Sequence, residues 1–504
     1  MNRRLLRAGL LACSLLPLGV ADAGFDLQGG SVADPVSLPA ASVEMRATVA
    51  DFYAQRDGRL AWFDEAGPRP AIATLASALR DTAWLHGLEP DHYLTGEVVQ
   101  KLERVSAAPD ALTTAQMVRA DLVFTDAWLL LVSHLHSGRF DPHTLFPRWT
   151  PEARRQTIID ALAAALDEGE LTRRLQAMAP NHDDYRNLKR HLWHLRELAR
   201  ETAREAPNDE RLAARIGRVR INMERLRRLP DARGEMHVMV NVPAFRLQLV
   251  EDGAVRLEKR VIVGRTGEPT PAFSANMLQI AVNPVWDLPH RIAVEEKLPV
   301  IRRDPGFLER ERIAVLQGWG AEEREVDPEE VDWESLDRRH FPYRLRQAPG
   351  GTNPLGRLQF LFPNPRAIYI HDTPARHLFE YERRTFSAGC IRLEDADELA
   401  RRLLTNEQWT EAMKQLEQES PETRFELSQR VPVHIVYLTV EAEDNGTPKY
   451  WADVYGRDGD LLEALLEPPA RTYRTPTTTL SGTSFTGARG IHRCLVPRVA
   501  RTSG

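Results

Sequence analysis

The chain has 504 residues, 42% of them hydrophobic and 27% charged, with a formal net charge of −6 at neutral pH. At roughly 100–200 residues per domain, this length predicts two or three globular domains. The negative charge of the whole chain argues against nucleic acid as a partner.

The N-terminus has the features of an export signal. Arginines at positions 3, 4 and 7 form a basic start, residues 8–20 form an apolar run, and Ala21-Asp22-Ala23 is a small-x-small cleavage site. The apolar run is shorter than the ~20 residues that cross a bilayer. We therefore predict a cleaved Sec-type signal peptide over residues 1–23 rather than a membrane helix, and export of the mature protein.

Helical periodicity dominates residues 43–229, after a lead at 24–42 whose Gly and Pro residues predict flexibility. Residues 116–135 carry two apolar stripes at helical spacing, which is typical of a helix at the centre of a bundle. The charges of Arg119, Asp121 and Asp126 exclude a membrane span for that helix. The sequence thus predicts a helical N-terminal domain at 43–229.

The last predicted helix of this domain, at 209–229, has an apolar stripe and a basic opposite face. The apolar stripe runs from Leu212 to Leu226. The basic face consists of Arg211, Arg215, Arg218, Arg220 and Arg225. We predict that these arginines lie in solvent, and the alternative is contact with an anionic polymer.

The pattern changes to strand periodicity from Met236, where β-branched and apolar residues dominate. Asp252-Gly253 separates two apolar segments and predicts a tight hairpin. The predicted strands are 237–242, 245–250, 255–263, 278–282, 358–362 and 367–370. A second domain, rich in β-structure, is therefore predicted at 235–404.

An insertion at about residues 290–350 interrupts the predicted strands. It begins with a predicted helix at 292–303 and continues as a charged, turn-rich stretch at 304–349. A long insertion inside a β domain is often a lid over a binding site, and we predict that role here.

A smaller region and a tail follow the second domain. A helix is predicted at 396–404, and residues 405–466 predict a C-terminal helix and β-hairpin. The elements of that region are a helix at 407–419 and strands at 433–440 and 452–455. Residues 467–504 are rich in Pro, Thr, Gly and Arg and lack periodicity, which predicts disorder.

The chain has three cysteines, of which Cys13 lies in the predicted signal peptide. The remaining two, Cys390 and Cys494, are too few for a disulfide scaffold in an exported protein. Cys390 follows Gly389 directly and lies 19 residues after His371. His371 itself lies at the end of a predicted strand. This setting singles out Cys390 as a candidate reactive thiol.

Nucleophilic chemistry explains the residues around Cys390. A free thiol has a pKa near about 8.5, so an imidazole such as that of His371 is needed to activate it at neutral pH. Gly389 permits a tight turn whose N–H groups can point at one spot, as in an oxyanion hole. If the segment is extended, Arg392 faces the same side as Cys390 and can bind a substrate carboxylate.

The same residues allow other interpretations. Cys390 and His371 can be a buried structural pair. A zinc site from His371, His377 and Cys390 is possible on ligand type alone, although no recognisable spacing or fourth ligand supports it. Arg392 can form a structural salt bridge, and Trp286 fits packing in the core as well as contact with substrate.

The motif around Cys390 is similar to that of a known family. Ser387-Ala388-Gly389-Cys390-Ile391-Arg392, preceded by His371-Asp372-Thr373-Pro374, resembles the YkuD-type catalytic domain of L,D-transpeptidases. The similarity extends over residues 235–404 through Gly264-Arg265 with Thr270-Pro271, Asn283-Pro284 with Trp286, and Asn353-Pro354-Leu355-Gly356. Segments at 52–62, 86–90 and 136–139 look like the N-terminal scaffold of the long, multidomain branch of this family.

The resemblance implies an α+β fold, in which a helical scaffold precedes a mixed, β-sandwich-like catalytic domain with a lid insertion. It implies peptidoglycan as the substrate and the periplasm as the location. A thiolate would attack the diaminopimelate carbonyl of a tetrapeptide stem and expel the terminal D-alanine. Another diaminopimelate amine would then take the acyl group, giving a 3→3 cross-link. The resemblance implies no cofactor and no metal, inhibition by carbapenems, and stem peptides and other cell-wall synthesis proteins as partners.

The resemblance also implies a role for each residue of the motif. Cys390 maps to the nucleophile and His371 to the general base, while the backbone N–H groups of Gly389 and Cys390 map to the oxyanion hole. The positions implied to bind substrate are Tyr369, Ser387, Arg392 and Trp286.

The chain departs from the family pattern in three places. Ala388 stands where many relatives have His or Ser. The gap before the helix at 209–229 is too short for the peptidoglycan-binding three-helix module of long family members, and the tail after Leu466 matches nothing in the family. Two alternatives to transpeptidation stay open: an L,D-carboxypeptidase or amide hydrolase of the same stems, and a wall-binding scaffold without catalytic activity.

Overall fold

Helices make up the first part of the chain and strands most of the second. The computed structural model describes residues 42, 44–140, 151–204, 209–304, 306–418 and 420–470. The predicted signal peptide, nearly all of the lead at 24–42, the tail from residue 471 and Cys494 lie outside these described residues. Within the described ranges, no helix is both long and apolar enough to cross a bilayer.

The N-terminal domain is helical, with a short hairpin after its first helix. Its elements are α1 (Arg46–Ala54), β1 (Phe63–Asp64), β2 (Gly67–Pro68), α2 (Ala71–Leu85), α3 (Gly96–Ala107), α4 (Thr114–Ser137), α5 (Pro151–Glu168), α6 (Leu171–Ala177), α7 (Asp183–Thr202) and α8 (Glu210–Leu226). As its two apolar stripes predict, α4 is buried along most of its length. The carboxylate of Asp121 in α4 is buried as well, and it accepts the backbone N–H groups of Ala61 and Trp62.

The second domain is built mainly from strands. These are β3 (Met236–Asn241), β4 (Arg246–Glu251), β5 (Ala254–Gly264), β6 (Phe273–Val282), β7 (Trp286–Asp287), β8 (Ile313–Gln317), β9 (Arg324–Val326), β10 (Tyr343–Gln347), β11 (Leu358–Leu361), β12 (Ile370–His371), β13 (Thr385–Ser387), β14 (Ile391–Leu393), β15 (Thr423–Val436), β16 (Val440–Ala442) and β17 (Pro448–Tyr450). The helices are α9 (Leu298–Arg303), α10 (Phe307–Arg310), α11 (Ala396–Leu403), α12 (Asn406–Glu417) and α13 (Asp458–Leu466).

The main sheet closes on itself around an apolar core. Its strand order is β13-β5-β14-β12-β11-β6-β15-β3-β4, and β5 also pairs with β4. The sheet is mixed, because β12–β14, β15–β3 and β13–β5 pair in parallel and its other pairs are antiparallel. Leu247, Ile280, Phe360, Ile370 and Ile391 are among the buried residues of the core. The predicted α+β architecture, helical first and β-rich second, is confirmed.

The strand predicted at 367–370 is shorter than its apolar residues suggest. Only Ile370–His371 pairs with neighbouring strands. Ala367 has a φ of 50°, in the left-handed region, and the Asn364 side chain accepts the N–H of Ile368. Because the side chain of Asn364 takes the place of a strand partner, the chain turns before it joins the sheet.

The region after the second domain differs from the predicted separate helix and hairpin. Residues 423–436 form β15, which lies between β6 and β3 in the main sheet. The strand predicted at 433–440 ends at Val436, because side-chain oxygens of Asn241 and Asn222 accept the N–H groups of Leu438 and Thr439. The hairpin pairs β16 with β17 at Pro448–Tyr450 rather than with 452–455, and helix α13 was not predicted.

The insertion is a folded unit and not only the charged, turn-rich stretch that its sequence indicates. Strands β7, β10, β8 and β9 form a small antiparallel sheet. A π-helical turn at Ile292–Lys297 leads into α9, and the two pack with the sheet around a separate apolar cluster that includes Ile301, Val315 and Leu345. Charge dominates the composition of this segment because the cluster is small and most of its surface is exposed.

The arginine-rich face of α8 is not the solvated surface that we predicted. Arg218 and Arg225 form salt bridges with Asp458 of α13, and Arg220 donates to the Gly87 carbonyl. The guanidinium of Arg215 lies over the ring of Tyr450. Arg215, Arg218 and Arg225 therefore hold the C-terminal hairpin and α13 against the helical domain, while Arg220 bonds within that domain. Of the five, only Arg211 keeps the predicted exposure without such a contact among the described residues.

Candidate active site

Strand register brings the predicted site residues to one face of the main sheet. β12 and β14 run in parallel, with Ile370 opposite Ile391 and His371 opposite Arg392. Both isoleucines point into the apolar core and are fully buried. Since side chains alternate along a strand, His371 and Arg392 lie together on the opposite face. Tyr369 and Cys390 come directly before the two strands, and the Tyr369 carbonyl accepts the Ile391 N–H at 2.9 Å, which places Tyr369 beside Cys390.

A network of short hydrogen bonds shapes the turn before Cys390. The Ser387 hydroxyl donates to the Cys390 carbonyl at 2.5 Å and accepts the Gly389 N–H at 3.1 Å. Gly389 has a φ of 110°, which side-chain-bearing residues rarely adopt. A Cβ on Gly389 would also approach the side chain of Ile368 to 3.3 Å. Glycine is therefore required here by backbone conformation and by space.

These contacts change the parts predicted for Gly389 and Ser387. The Gly389 N–H, predicted as an oxyanion donor, already donates to the Ser387 hydroxyl. The Ser387 side chain is buried and bonds the turn itself, so it does not line an open pocket. Among the described residues, the Cys390 N–H has no hydrogen-bond acceptor. The remaining candidate oxyanion donor is therefore the Cys390 N–H.

His371 is buried and held in one orientation by the backbone. Its Nδ1 lies 2.6 Å from the Asp372 carbonyl oxygen, so Nδ1 carries the proton and Nε2 has the free lone pair. Burial and then the positive charge of Arg392 lower the pKa of His371 to about 4, against the backbone carbonyls of Asp372 and Leu355, which act to raise it. The imidazole is therefore neutral at neutral pH.

Cys390 is a partly exposed thiol that is protonated at rest. Its Sγ lies 3.8 Å from the Ala367 carbonyl oxygen, and the described residues contain no Cys390–His371 hydrogen bond. Burial of the sulfur raises the pKa of Cys390, while the Tyr369 backbone and the charge of Arg392 act in the opposite direction. The site thus pairs a neutral thiol with a neutral imidazole rather than a preformed thiolate with an imidazolium.

Arg392 has no carboxylate partner in the described part of the chain. Its Nε is buried without a hydrogen-bond acceptor, and burial lowers the pKa of its guanidinium. Arg392 as a whole is half-buried, and its buried Nε without an acceptor is costly unless a ligand supplies one. The structural salt bridge, the alternative interpretation of Arg392, is therefore not formed among the described residues, and Arg392 is free to bind a substrate carboxylate as predicted.

The insertion lies beside this face of the sheet. Burial raises the pKa of Tyr369, and the charges of Cys390 and of Asp287 in β7 raise it further. At the base of the insertion, the buried Asn353 side chain donates to the carbonyls of Pro284 and Ala348 and so joins the two chain segments that connect it to the domain. Trp286 packs against the apolar cluster of the insertion, which favours the packing interpretation over a substrate platform.

The loop after β5 also contacts the insertion. Glu268 in this loop forms salt bridges with Arg265 and with Arg291 of the insertion, and Arg265 bonds Glu296 at 3.2 Å. A short charged network therefore connects the insertion to the end of β5, the strand that pairs with β13 and β14 on either side of the turn before Cys390. The described residues contain no group of three or more His, Cys, Asp or Glu side chains placed to hold a metal ion.

Thr270 is a site residue that we did not predict. It is fully buried, and its hydroxyl donates to the Gly389 carbonyl at 2.7 Å. The sequence gives Thr270 only as part of the Thr270-Pro271 motif, 120 positions before Cys390, so the motif marks the residue without indicating its contact.

Family models match both domains of the chain. The model described as the L,D-transpeptidase catalytic domain matches residues 235–435, and the model described as a Scaffold domain matches residues 47–192. These matches confirm the family resemblance of the sequence. Helices α7 and α8 between the two matches are separated only by residues 203–209, so a three-helix module does not lie between them.

One curated relative and two solved structures are similar to the chain. A Haemophilus influenzae protein with the provisional name L,D-transpeptidase is 35% identical over 299 residues, which cover 59% of this chain and 57% of the relative. The chain thus matches little more than half of that relative's length. The L,D-transpeptidase from Mycobacterium smegmatis aligns with a TM-score of 0.18 at 13% identity, covering 40% of this chain and 58% of that one. The Ldtfm-avibactam carbamoyl enzyme aligns with a TM-score of 0.19 at 12% identity, covering 41% and 51%.

Proposed function

The chain carries an L,D-transpeptidase catalytic domain behind a Scaffold domain, and on that premise we propose that it forms 3→3 cross-links between peptidoglycan stem peptides through an acyl-enzyme on Cys390. The observation that carries the proposal is the shared face of β12 and β14, where the thiol, a neutral imidazole and an unpartnered guanidinium meet. The predicted export signal supports a periplasmic location for this activity.

The first half-reaction is acyl transfer to Cys390. As Sγ attacks the diaminopimelate carbonyl of a tetrapeptide stem, its proton passes to His371 Nε2, and the C–S bond forms while the carbonyl π electrons move to oxygen. Collapse of the intermediate breaks the C–N bond, and the proton on His371 passes to the amine of the departing D-alanine. Because thiol and imidazole are both neutral at rest, we expect proton transfer to accompany the attack.

The second half-reaction returns the thiol. A diaminopimelate side-chain amine of another stem attacks the thioester carbonyl, its proton passes to His371 Nε2, and the C–S bond breaks as Sγ takes that proton. The Cys390 N–H is directed to the carbonyl oxygen in both tetrahedral intermediates. Arg392 binds a stem carboxylate, and Tyr369 lines the same face on the side of the insertion. The insertion serves as the lid that keeps water from the thioester.

Hydrolysis of the same stems is the closest alternative, since water can replace the amine in the second half-reaction. The two activities can be distinguished by incubating purified enzyme with disaccharide-tetrapeptide and identifying the products by mass spectrometry. We expect cross-linked dimers and free D-alanine. A tripeptide product without dimers would assign an L,D-carboxypeptidase, and the absence of both products together with an unreactive thiol would assign a non-catalytic wall-binding scaffold.

The low pKa of His371 predicts an unusual acid limb in the pH profile of Cys390 acylation. With a pKa of about 4, His371 stays neutral as the pH falls from 7 to 5.5, so the rate constant for acylation by a carbapenem should fall by less than about a fifth. An ordinary histidine, with a pKa near about 6.5, would lose about tenfold over the same interval. Stopped-flow acylation across pH 3.5–8 measures the limb, and a midpoint between pH 6 and 7 would contradict a buried, neutral His371.

A further inference from the structure

A second set of hydrogen bonds lies behind the catalytic turn, on the side away from the thiol. The Thr270 hydroxyl accepts the Gly264 N–H at 2.9 Å and donates to the Gly389 carbonyl at 2.7 Å. Its one proton and one of its two lone pairs are therefore used, and Thr270 is fully buried. The bond joins the end of β5 to the residue that precedes the nucleophile.

The bond from Thr270 fixes the direction of the candidate oxyanion donor. The Gly389 carbonyl and the Cys390 N–H belong to the same peptide unit, which is planar and trans, so the two groups point in opposite directions. When Thr270 holds the carbonyl, it also fixes the direction of the N–H, which points away from Thr270. Ser387 bonds the groups on either side of this peptide unit, the Gly389 N–H and the Cys390 carbonyl. Thr270 bonds the peptide unit itself.

Thr270 is itself held by Tyr455, from the segment after the C-terminal hairpin. The Tyr455 hydroxyl accepts the Thr270 N–H at 3.1 Å and donates to the Gly264 carbonyl at 2.7 Å. It thus closes the β5–β6 loop, which folds back so tightly that a Cβ on Gly264 would meet the Glu268 carbonyl oxygen. The Tyr455 hydroxyl therefore bridges Gly264 at the end of β5 and Thr270, the residue that bonds the turn.

Tyr455 is connected in turn to the helical domain. Its ring stacks on Tyr437 with centroids 5.5 Å apart, and its N–H donates to the Tyr437 hydroxyl at 2.8 Å. The Tyr437 hydroxyl donates to Asp453, whose carboxylate also accepts the N–H of Asp458, and Asp458 forms a 2.7 Å salt bridge with Arg225 of α8. The C-terminal segment is therefore bonded at one end to Thr270, which holds the turn, and at the other to the helical domain.

We propose that Thr270 and Tyr455 are positioning residues for the transpeptidase reaction, which hold the Gly389–Cys390 peptide so that its N–H stabilises the oxyanion. The proposal rests on the proposed function of Cys390. It assigns a catalytic purpose to residues after the end of the matched catalytic domain at 435, since Tyr455 lies beyond it.

Two reactions of the same thiol separate positioning of the turn from activation of the sulfur. Acylation by a carbapenem passes through a tetrahedral oxyanion and needs the Cys390 N–H in place. Alkylation by iodoacetamide forms a C–S bond with loss of iodide and develops no oxyanion. A misdirected peptide should therefore slow acylation and leave alkylation unchanged.

The test compares variants of the full mature chain. Thr270→Val keeps the shape and removes the hydroxyl, and we expect acylation to slow by about 10–100-fold with alkylation within about twofold of wild type. Thr270→Ser keeps the hydroxyl and should restore acylation to within about threefold. Tyr455→Phe should slow acylation by about 3–10-fold by the same route.

Tyr450→Phe is the matched control for Tyr455→Phe. Tyr450 ends the C-terminal hairpin, five residues before Tyr455, and its hydroxyl bonds His191 of the helical domain and no described residue of the turn. Its acylation rate should equal that of wild type. If Thr270→Val does not fold, Tyr455→Phe carries the test alone.

Two results would overturn the proposal: acylation at the wild-type rate in Thr270→Val and Tyr455→Phe, or equal losses in acylation and alkylation. Failure of the proposed function looks different, because wild-type Cys390 would then react with iodoacetamide but not with a carbapenem.

Discussion

Cys390→Ala should abolish both carbapenem acylation and cross-linking, with a loss of at least about 10⁴-fold in turnover, because the only atom that bonds the substrate carbonyl is removed. The substitution removes one partly exposed sulfur whose single hydrogen bond, to the Ala367 carbonyl, is 3.8 Å long. We therefore expect wild-type thermal stability to within a few degrees. Intact-mass spectrometry after incubation with a carbapenem measures the adduct directly.

Cys494→Ala is the control for Cys390→Ala, because these are the two cysteines that follow the predicted signal peptide. The control protein should acquire the same mass shift as wild type and form dimers at the same rate. Retention of the adduct in Cys390→Ala, or its loss in Cys494→Ala, would move the nucleophile away from Cys390 and remove the basis of the proposed mechanism.

His371→Ala should slow acylation by about 10²–10⁴-fold at neutral pH, because the thiol then loses the group that takes its proton during attack. The effect is expected to shrink as the pH rises, since hydroxide can form the thiolate once the pH approaches the raised pKa of Cys390. Rates of carbapenem acylation between pH 6 and 10 measure both the loss and its partial recovery.

His377→Ala is the matched histidine substitution for His371→Ala. His377 is exposed in the loop that follows β12, and it belongs to the zinc site that ligand type alone allows. If His371 is the general base, the His377→Ala variant should be acylated by the carbapenem at the wild-type rate. Equal losses in the two variants, or restoration of wild-type activity by added zinc, would favour the metal interpretation instead.

The candidate nucleophile and base were predictable because their signal is local. Gly389-Cys390 and Arg392 lie in one short motif, and His371 ends a predicted strand 19 residues earlier. Alternation of side chains then predicts that Cys390 and Arg392 face the same side. The register of β12 against β14 adds what spacing cannot supply, namely that His371 stands opposite Arg392.

The parts of Ser387 and Gly389 could not be assigned from sequence. Motif spacing marks both residues as close to the nucleophile but does not say which atoms are already bonded. Only the folded turn uses the Gly389 N–H internally and leaves the Cys390 N–H without an acceptor among the described residues. The protonation state of His371 at rest could not be assigned from sequence either, because its low pKa results from burial by residues distant in sequence.

By itself, the sequence determined that a helical domain precedes a mixed β domain and that Cys390 stands in a nucleophile motif. Periodicity and motif spacing are properties of neighbouring residues, so they can be recognised in the linear sequence. Only the tertiary structure decided that the α8 arginines bind the C-terminal segment, that the insertion has its own core, and that Tyr455 and Thr270 support the turn. These contacts join residues up to 235 positions apart. They form because the sheet closes and buried polar groups need partners, so no local pattern encodes them.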